Sequence, residues 1–157
     1  MKKISLILIT LAVLVIPCLL LATGTATQTY TQIYSSEGTT NLSTLTFAWT
    51  SDVSGDVSAT TSTTITDQIA GKYVVMAVTD PDGTDAPDAN YDITILDANS
   101  GDIMGGVLLN RSSNSTEQAT PYIGALYSKR PVNGAVILTV ASAGSGKSGT
   151  TILYLSR

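Results

Sequence analysis

Polar and apolar residues alternate along several short segments, a period of two that is typical of half-buried β-strands. Segment 45–49 places leucine, phenylalanine and tryptophan on one side and threonine and alanine on the other, and segment 91–97 alternates similarly. The denser apolar run 73–78 is short enough for a strand inside the core. The aromatic residues that we expect in the core are Phe47, Trp49, Tyr73 and Tyr91.

Turn residues separate further segments rich in β-branched and aromatic residues. These segments predict strands over 27–34, 59–69, 103–109, 122–127, 135–140 and 151–155. Segment 110–119 is polar, with room for one helical turn near 116–118. About eight strands at short spacing, without a sustained helical period, predict an all-β fold. We expect an antiparallel β-sandwich, jelly-roll or immunoglobulin-like, in a single domain over 27–157.

An apolar leader precedes this predicted domain. Lys2 and Lys3 stand before the apolar run 4–22, and small residues follow it. This pattern is typical of a secretory signal, and the run of 19 residues also approaches the length of a membrane-spanning helix. Residues 1–26 are therefore predicted to be a signal peptide or an N-terminal membrane anchor, with a mis-assigned start codon as a third alternative. Either of the first two would export the domain to the periplasm, cell surface or medium.

The composition excludes several kinds of chemistry. Histidine is absent and the single cysteine, Cys18, lies in the leader, so we exclude histidine-based catalysis, intrachain disulfides and cysteine-cluster metal sites. Beyond residue 26 the chain carries six basic and twelve acidic residues, which disfavours nucleic acid and anionic membranes as partners. The leader is the only predicted membrane contact. The 41 serines and threonines fall mainly on predicted strand faces and turns, where they could meet other subunits.

Residues 141–148, Ala-Ser-Ala-Gly-Ser-Gly-Lys-Ser, loosely match a phosphate-binding loop. Such a loop holds phosphate when a strand leads in and a helix leads out. A predicted strand leads in, but residues 149–155 are typical of a strand, not a helix. We therefore interpret the segment as a hairpin loop between the last two strands and expect no nucleotide cofactor.

Four aspartates form the main candidate metal site. Aspartates spaced around Gly83 could supply oxygen ligands to Ca²⁺, although the EF-hand pattern is missing. The alternative is a solvated loop in which aspartate favours turns. Calcium is thus the only cofactor that the sequence suggests. Its candidate ligands are Asp80, Asp82, Asp85 and Asp88.

Three segments together resemble a family of small, mostly uncharacterised proteins encoded in the structural gene regions of tailed phages and prophages. The segments are 47–52 with Gly55, 91–97 through Gly105-Gly106 to 110–112, and 134–141 through Gly149 to 154–155. Their order matches the family pattern from Tyr30 to Leu155. The resemblance implies a non-enzymatic β-sandwich protein of the virion, associated with decoration, fibre or tail, and forming homo-oligomers with other virion proteins as partners. It implies no catalytic residues.

The leader supports an alternative function. An exported chain of this composition could be a binding or adhesion module of the cell envelope, stabilised by calcium at 80–88 and partnered by envelope proteins.

Overall fold

The computed structural model describes residues 23–33 and 42–157. These residues contain eleven strands and one helix. The strands are β1 (Thr25–Ile33), β2 (Leu42–Thr50), β3 (Val57–Thr60), β4 (Tyr73–Pro81), β5 (Asp92–Leu96), β6 (Glu117–Ala119), β7 (Tyr122–Ile123), β8 (Leu126–Tyr127), β9 (Arg130–Pro131), β10 (Ile137–Ala141) and β11 (Ser148–Ser156). Helix α1 (Thr63–Ile69) lies between β3 and β4. Most of the predicted leader lies outside the described residues, so its nature stays a prediction.

The strands form two antiparallel sheets and a separate small hairpin. The larger sheet has the order β1-β2-β11-β4-β6, and β9 also pairs with β4. The smaller sheet has the order β3-β10-β5, and β7 pairs with β8. Strand β11 lies between β2 and β4, so strands distant in sequence pair at the centre of the larger sheet. The predicted antiparallel all-β sandwich is confirmed, although eleven strands replace the expected eight or so.

The inward side chains of both sheets form one hydrophobic core. Every second residue is buried from Ser43 to Trp49 in β2 and from Gly149 to Leu155 in β11, because side chains alternate across a strand. The smaller sheet contributes isoleucine, leucine and valine from β5 and β10 to the same cluster. Phe47 is fully buried, as predicted.

Trp49 and Tyr91 are buried as predicted, and they contact one another. Their ring centroids are 5.7 Å apart in a tilted arrangement that aromatic pairs favour. The Trp49 Nε1–H donates a hydrogen bond to Thr151 Oγ1 at 3.2 Å. Through these two contacts, Trp49 of β2 meets β11 and the residue before β5 in the centre of the core.

The prediction that Tyr73 lies in the core is wrong. Tyr73 is only partly buried, because its cross-strand partner is Ser156 on the outward side of β11. The neighbouring Val74 pairs with Leu155 and occupies the buried position instead. The Tyr73 ring meets a cation, since Lys129 Nζ lies 4.5 Å from its centroid.

The prediction of a strand over 59–69 is also wrong, because strand β3 ends at Thr60 and α1 follows. Ser62 caps the helix: its Oγ accepts a hydrogen bond from the Ile65 backbone N–H at 3.4 Å. Ile65 and Ile69 are four residues apart, so they share one helix face, and both contact the core. The cap and this spacing outweigh the strand preference of the threonines around them.

Between β5 and β10, the structure differs from the predicted secondary structure in three places. Residues 103–109 form turns rather than a strand, and they cover the outer edge of β5. The Ile93 N–H donates to Leu108 O at 2.9 Å and the Ile103 N–H donates to Ile95 O at 2.8 Å. Residues 117–119 form strand β6 instead of a helical turn, and 122–127 form the β7–β8 hairpin.

Candidate functional site

The loop 142–147 connects β10 to β11, which lie in different sheets. The hairpin interpretation is therefore wrong, because β10 already pairs with β3 and β5, and β11 with β2 and β4. A strand follows the loop, so the helix N-terminus that a phosphate-binding loop needs is not formed here.

The polar groups of this loop bind the turn that follows β2. Ser51 Oγ donates to Gly144 O at 2.6 Å and accepts from the Lys147 N–H at 2.9 Å. The Ser51 N–H donates to Lys147 O at 2.8 Å, and the Gly146 N–H donates to Asp52 O at 3.3 Å. The loop that leads from the smaller sheet into β11 is thus held against the turn after β2 through Gly144, Gly146 and Lys147.

Two glycines permit this close approach. Gly55 has a φ of 89°, and a Cβ added there would lie 2.6 Å from the Gly144 nitrogen. A Cβ at Gly149 would lie 2.6 Å from Cζ2 of Trp49. Both separations are well inside van der Waals contact, so a larger residue at either position would have to move backbone or a buried ring.

The first two aspartates of the 80–88 segment already accept hydrogen bonds from other residues of the chain. Asp82 Oδ1 accepts the backbone N–H groups of Asp85 at 2.8 Å and Thr84 at 2.7 Å, forming an Asx turn. These N–H groups stabilise the ionised form and lower the Asp82 pKa. Asp80, at the end of β4, accepts a short hydrogen bond from the Thr116 hydroxyl.

The other two predicted calcium ligands contact the loop before β11. The Asp85 carbonyl accepts from the Ser148 N–H at 2.8 Å, and the Asp88 N–H donates to Ala143 O at 2.8 Å. In the part of the chain that the structure describes, no three acidic, histidine or cysteine side chains gather to hold a metal. The four aspartates therefore do not form a preassembled site, and calcium binding at this segment stays a prediction.

Tyr91 and the Asn-Arg-Ser segment lie together at the edge of the smaller sheet. The Arg111 N–H donates to Tyr91 O at 2.7 Å, and Arg111 Nε lies 3.7 Å from Glu117 Oε2. Burial raises the pKa of the Tyr91 phenol to about 12, and the Glu117 carboxylate adds to this shift. The cluster joins the start of β5 to segment 110–112 through a backbone hydrogen bond and the Arg111–Glu117 ion pair.

The outward side of the larger sheet carries a regular array of hydroxyl groups. It consists of four rows that run across β1, β2 and β11, because the register aligns the outward residues of the three strands. In the order β1, β2, β11, the rows are Thr25–Thr50–Ser148, Thr27–Ala48–Thr150, Thr29–Thr46–Ile152 and Thr31–Thr44–Tyr154. We call these twelve residues the outer face. None of them is charged. Period-two threonines at 25–31 are its signal in the sequence, but the neighbouring rows depend on register and could not be found there.

A second exposed surface lies on the β7–β8 hairpin. Leu126 is 69% exposed and Tyr127 is 72% exposed, the two largest values among the large hydrophobic residues that the structure describes. Tyr122 supports Tyr127 from the facing strand, with ring centroids 4.8 Å apart. The hairpin therefore presents apolar and aromatic side chains to solvent, as binding surfaces commonly do.

No family model matches the chain, and no curated protein matches it. Within the described ranges, no helix is long and apolar enough to cross a bilayer.

Proposed function

We propose that this chain is a non-enzymatic structural protein that acts by packing against other subunits, as a virion component of a tailed phage or prophage. Its partners are then further copies of itself and other virion proteins. The observation that carries this proposal is the outer face, which spans three strands of the larger sheet without a charge.

An uncharged threonine surface suits a protein interface for two physical reasons. Covering it removes no ionised group from water, and the cores of interfaces are depleted in charged residues for the same reason. Threonine is also short and stiff at χ1, so ordering it against a partner costs less entropy than ordering lysine or glutamate. The hydroxyls can pair with a facing subunit, as Thr50 Oγ1 and Ser148 Oγ already do at 3.0 Å within this face.

The connection between the sheets supports the same function. The Ser51 hydrogen bonds hold the loop between the sheets against the turn after β2, and Gly55 of that turn approaches Gly144 of the loop closely. A rigid subunit loses little conformational freedom when it assembles, which favours repeated packing. The family resemblance described above implies the same role.

Mass spectrometry of purified particles tests this proposal. In cells that encode the chain and release phage-like particles, the protein should co-purify with capsid and tail proteins through a density gradient. Its absence from the particles, with the chain found in the periplasm or medium, would overturn the proposal. A soluble cytoplasmic protein of the same cells serves as the contamination control.

The second candidate function is an exported binding or adhesion module of the cell envelope. The β7–β8 hairpin favours it, because Leu126 and Tyr127 are exposed and can contact a partner directly. Replacing both with serine should then abolish retention on whole cells while leaving the fold intact. Under the virion proposal, the same double variant still enters particles.

A further inference from the structure

Four basic residues gather around Tyr73 at one end of the larger sheet. Lys72 precedes Tyr73 in the chain, and Lys129 Nζ lies 4.5 Å from the centroid of its ring. Arg157 follows the cross-strand partner of Tyr73, and strand β9, which begins with Arg130, pairs with the start of β4. We call these four residues, Lys72, Lys129, Arg130 and Arg157, the basic cluster.

Acidic side chains do not neutralise the basic cluster within the described part of the molecule. The ion pair found there joins β6 to the Asn-Arg-Ser segment instead. Lys72 and Arg157 line a concavity of about 320 Å³ together with two glutamines and no acidic side chain. Three aspartates lie elsewhere toward this end, in α1 and after β5, so the basic character is local to the cluster. No acidic residue occurs in the segments that supply the cluster, which are 70–77, 126–133 and 148–157.

The opposite end of the same sheet is acidic. Strands β2 and β4 end there and β11 begins there, because Thr50 pairs with Ser148 and Pro81 pairs with Gly149. These strands have nine residues each, so the two ends lie about 30 Å apart. One basic residue, Lys147, lies at the acidic end. The aspartates in or beside the connections at this end are Asp52, Asp56, Asp80, Asp82, Asp85, Asp88 and Asp92.

We propose that copies of this chain stack end to end, with the exposed loop 82–85 of one copy seated on the basic cluster of the next. Residues 82–85 are all exposed, and the loop carries the carboxylates of Asp82 and Asp85. Lysine and arginine bind carboxylates through charge-assisted hydrogen bonds, the stronger kind in proteins. The inference rests on the proposed function, self-packing, and adds a contact at the strand ends to the outer face.

Charge complementarity selects a second copy as the occupant. The net charge of the chain is −4, so most contacts between two copies bring like charges together. A contact between the basic cluster and the acidic end instead pairs opposite charges, which favours and orients association. The two surfaces differ and lie at opposite ends, so the contact is heterologous and its repetition builds a ring or a filament.

Sedimentation equilibrium of the full-length chain in nonionic, density-matched detergent tests this contact. Lys129→Glu reverses one charge of the basic cluster, and Lys147→Glu makes the same change at the acidic end. Lys129→Glu should weaken self-association by about tenfold or more, whereas Lys147→Glu should leave it equal or tighter. Both variants alter the net charge equally, so an equal weakening would indicate general repulsion and overturn the proposal. Circular dichroism confirms that each variant is folded.

A mixture of two variants separates an end-to-end contact from a symmetric one. Asp85 is exposed and its carboxylate accepts no hydrogen bond among the described residues, so Asp85→Lys reverses a charge without breaking a turn. Alone, this variant should associate as weakly as Lys129→Glu. An equal mixture of the two should regain the wild-type association, because the two reversed ends then face one another and the two unchanged ends also pair. A mixture that associates no better than either variant alone overturns the proposal.

Salt and a polyanion distinguish the remaining outcomes. The Debye length falls from about 10 Å at 0.1 M salt to about 3 Å at 1 M, so wild-type self-association should weaken over this range. Self-association that neither salt nor Lys129→Glu weakens overturns this contact while the packing function stands. Heparin binding that Lys129→Glu abolishes, with self-association unchanged, would assign the cluster to a polyanion and also overturn the contact. A wild-type chain that is monomeric at every concentration overturns both proposals.

Discussion

Replacing Gly149 with alanine tests how tightly β11 approaches the core. The added Cβ would lie 2.6 Å from Trp49 Cζ2 and 3.1 Å from Asp80 O. Carbon atoms prefer about 3.5–4.0 Å, so the indole ring has to move by about 1 Å. Trp49 cannot move freely, because it is 2% exposed and its Nε1–H is bonded to Thr151. Overpacking of this kind costs about 1–3 kcal/mol.

A double-mutant cycle identifies the ring as the cause. Trp49→Phe removes the six-membered part of the indole that carries Cζ2, so Gly149→Ala should cost about 1 kcal/mol less in that background. The contact with Asp80 O remains and keeps some of the cost. Thr150→Ala, the adjacent outward position, is the control and should change the free energy of unfolding by about 0.5 kcal/mol or less.

Urea unfolding followed by far-UV circular dichroism measures the four proteins of the cycle and the Thr150→Ala control, since the method needs no tryptophan fluorescence. For a domain of about 150 residues, each 1 kcal/mol also lowers Tm by about 2–4 °C. A Gly149→Ala variant as stable as the wild type would falsify the close approach. An equal cost in both backgrounds would show that Trp49 does not limit the space.

Four further outcomes are expected. Ser51→Ala leaves the partly buried Gly144 O and Lys147 N–H without this partner and should lower the free energy of unfolding by about 1 kcal/mol in urea titrations; an unchanged midpoint contradicts the role of Ser51. The buried Tyr91 hydroxyl has no hydrogen-bond partner of standard geometry among the described residues, so Tyr91→Phe should keep or raise Tm. Because its pKa is raised from 10.0 to about 12, wild-type stability falls as pH rises above 10, and this variant should lose less there in alkaline melts. Because the Asp82 pKa is lowered, the ionised carboxylate stabilises the fold above the ordinary value of 3.8, and this stabilisation is lost as the pH falls below it. In Asp82→Asn, Tm should therefore depend less on pH between about 2 and 5 than in the wild type. The predicted calcium site at 80–88 requires a higher Tm in calcium than in chelator, and coincident melts would contradict that prediction.

The sequence identifies residues whose environment follows from local alternation. Strand β2 is predicted well, because Leu45, Phe47 and Trp49 share one face and all three are buried. Strand β5 and Tyr91 follow the same rule. These segments are half-buried by a single neighbouring sheet, which is the situation that period two describes.

The errors occur where distant residues decide the structure. Tyr73 and Val74 are both apolar, and only the register with Ser156 and Leu155 determines which one enters the core. Loop 142–147 looks like a hairpin because its flanking strands are consecutive, but each of those strands already has two partners. Helix α1 had a local signal, the Ser62 cap with two isoleucines four residues apart, which the surrounding threonines obscured.

The outer face could likewise be predicted only in part from the sequence. The alternating threonines of β1 are visible in the sequence, whereas their alignment with β2 and β11 arises from pairing over long sequence distances.

Sedimentation equilibrium of the full-length wild-type chain tests the central claim, that this protein acts by packing against its own copies. The run is made in density-matched detergent over a wide range of protein concentrations. We expect the mass to rise from one subunit to two or more as the concentration increases. A mass that stays at the 16.3 kDa of a single chain throughout would contradict the account.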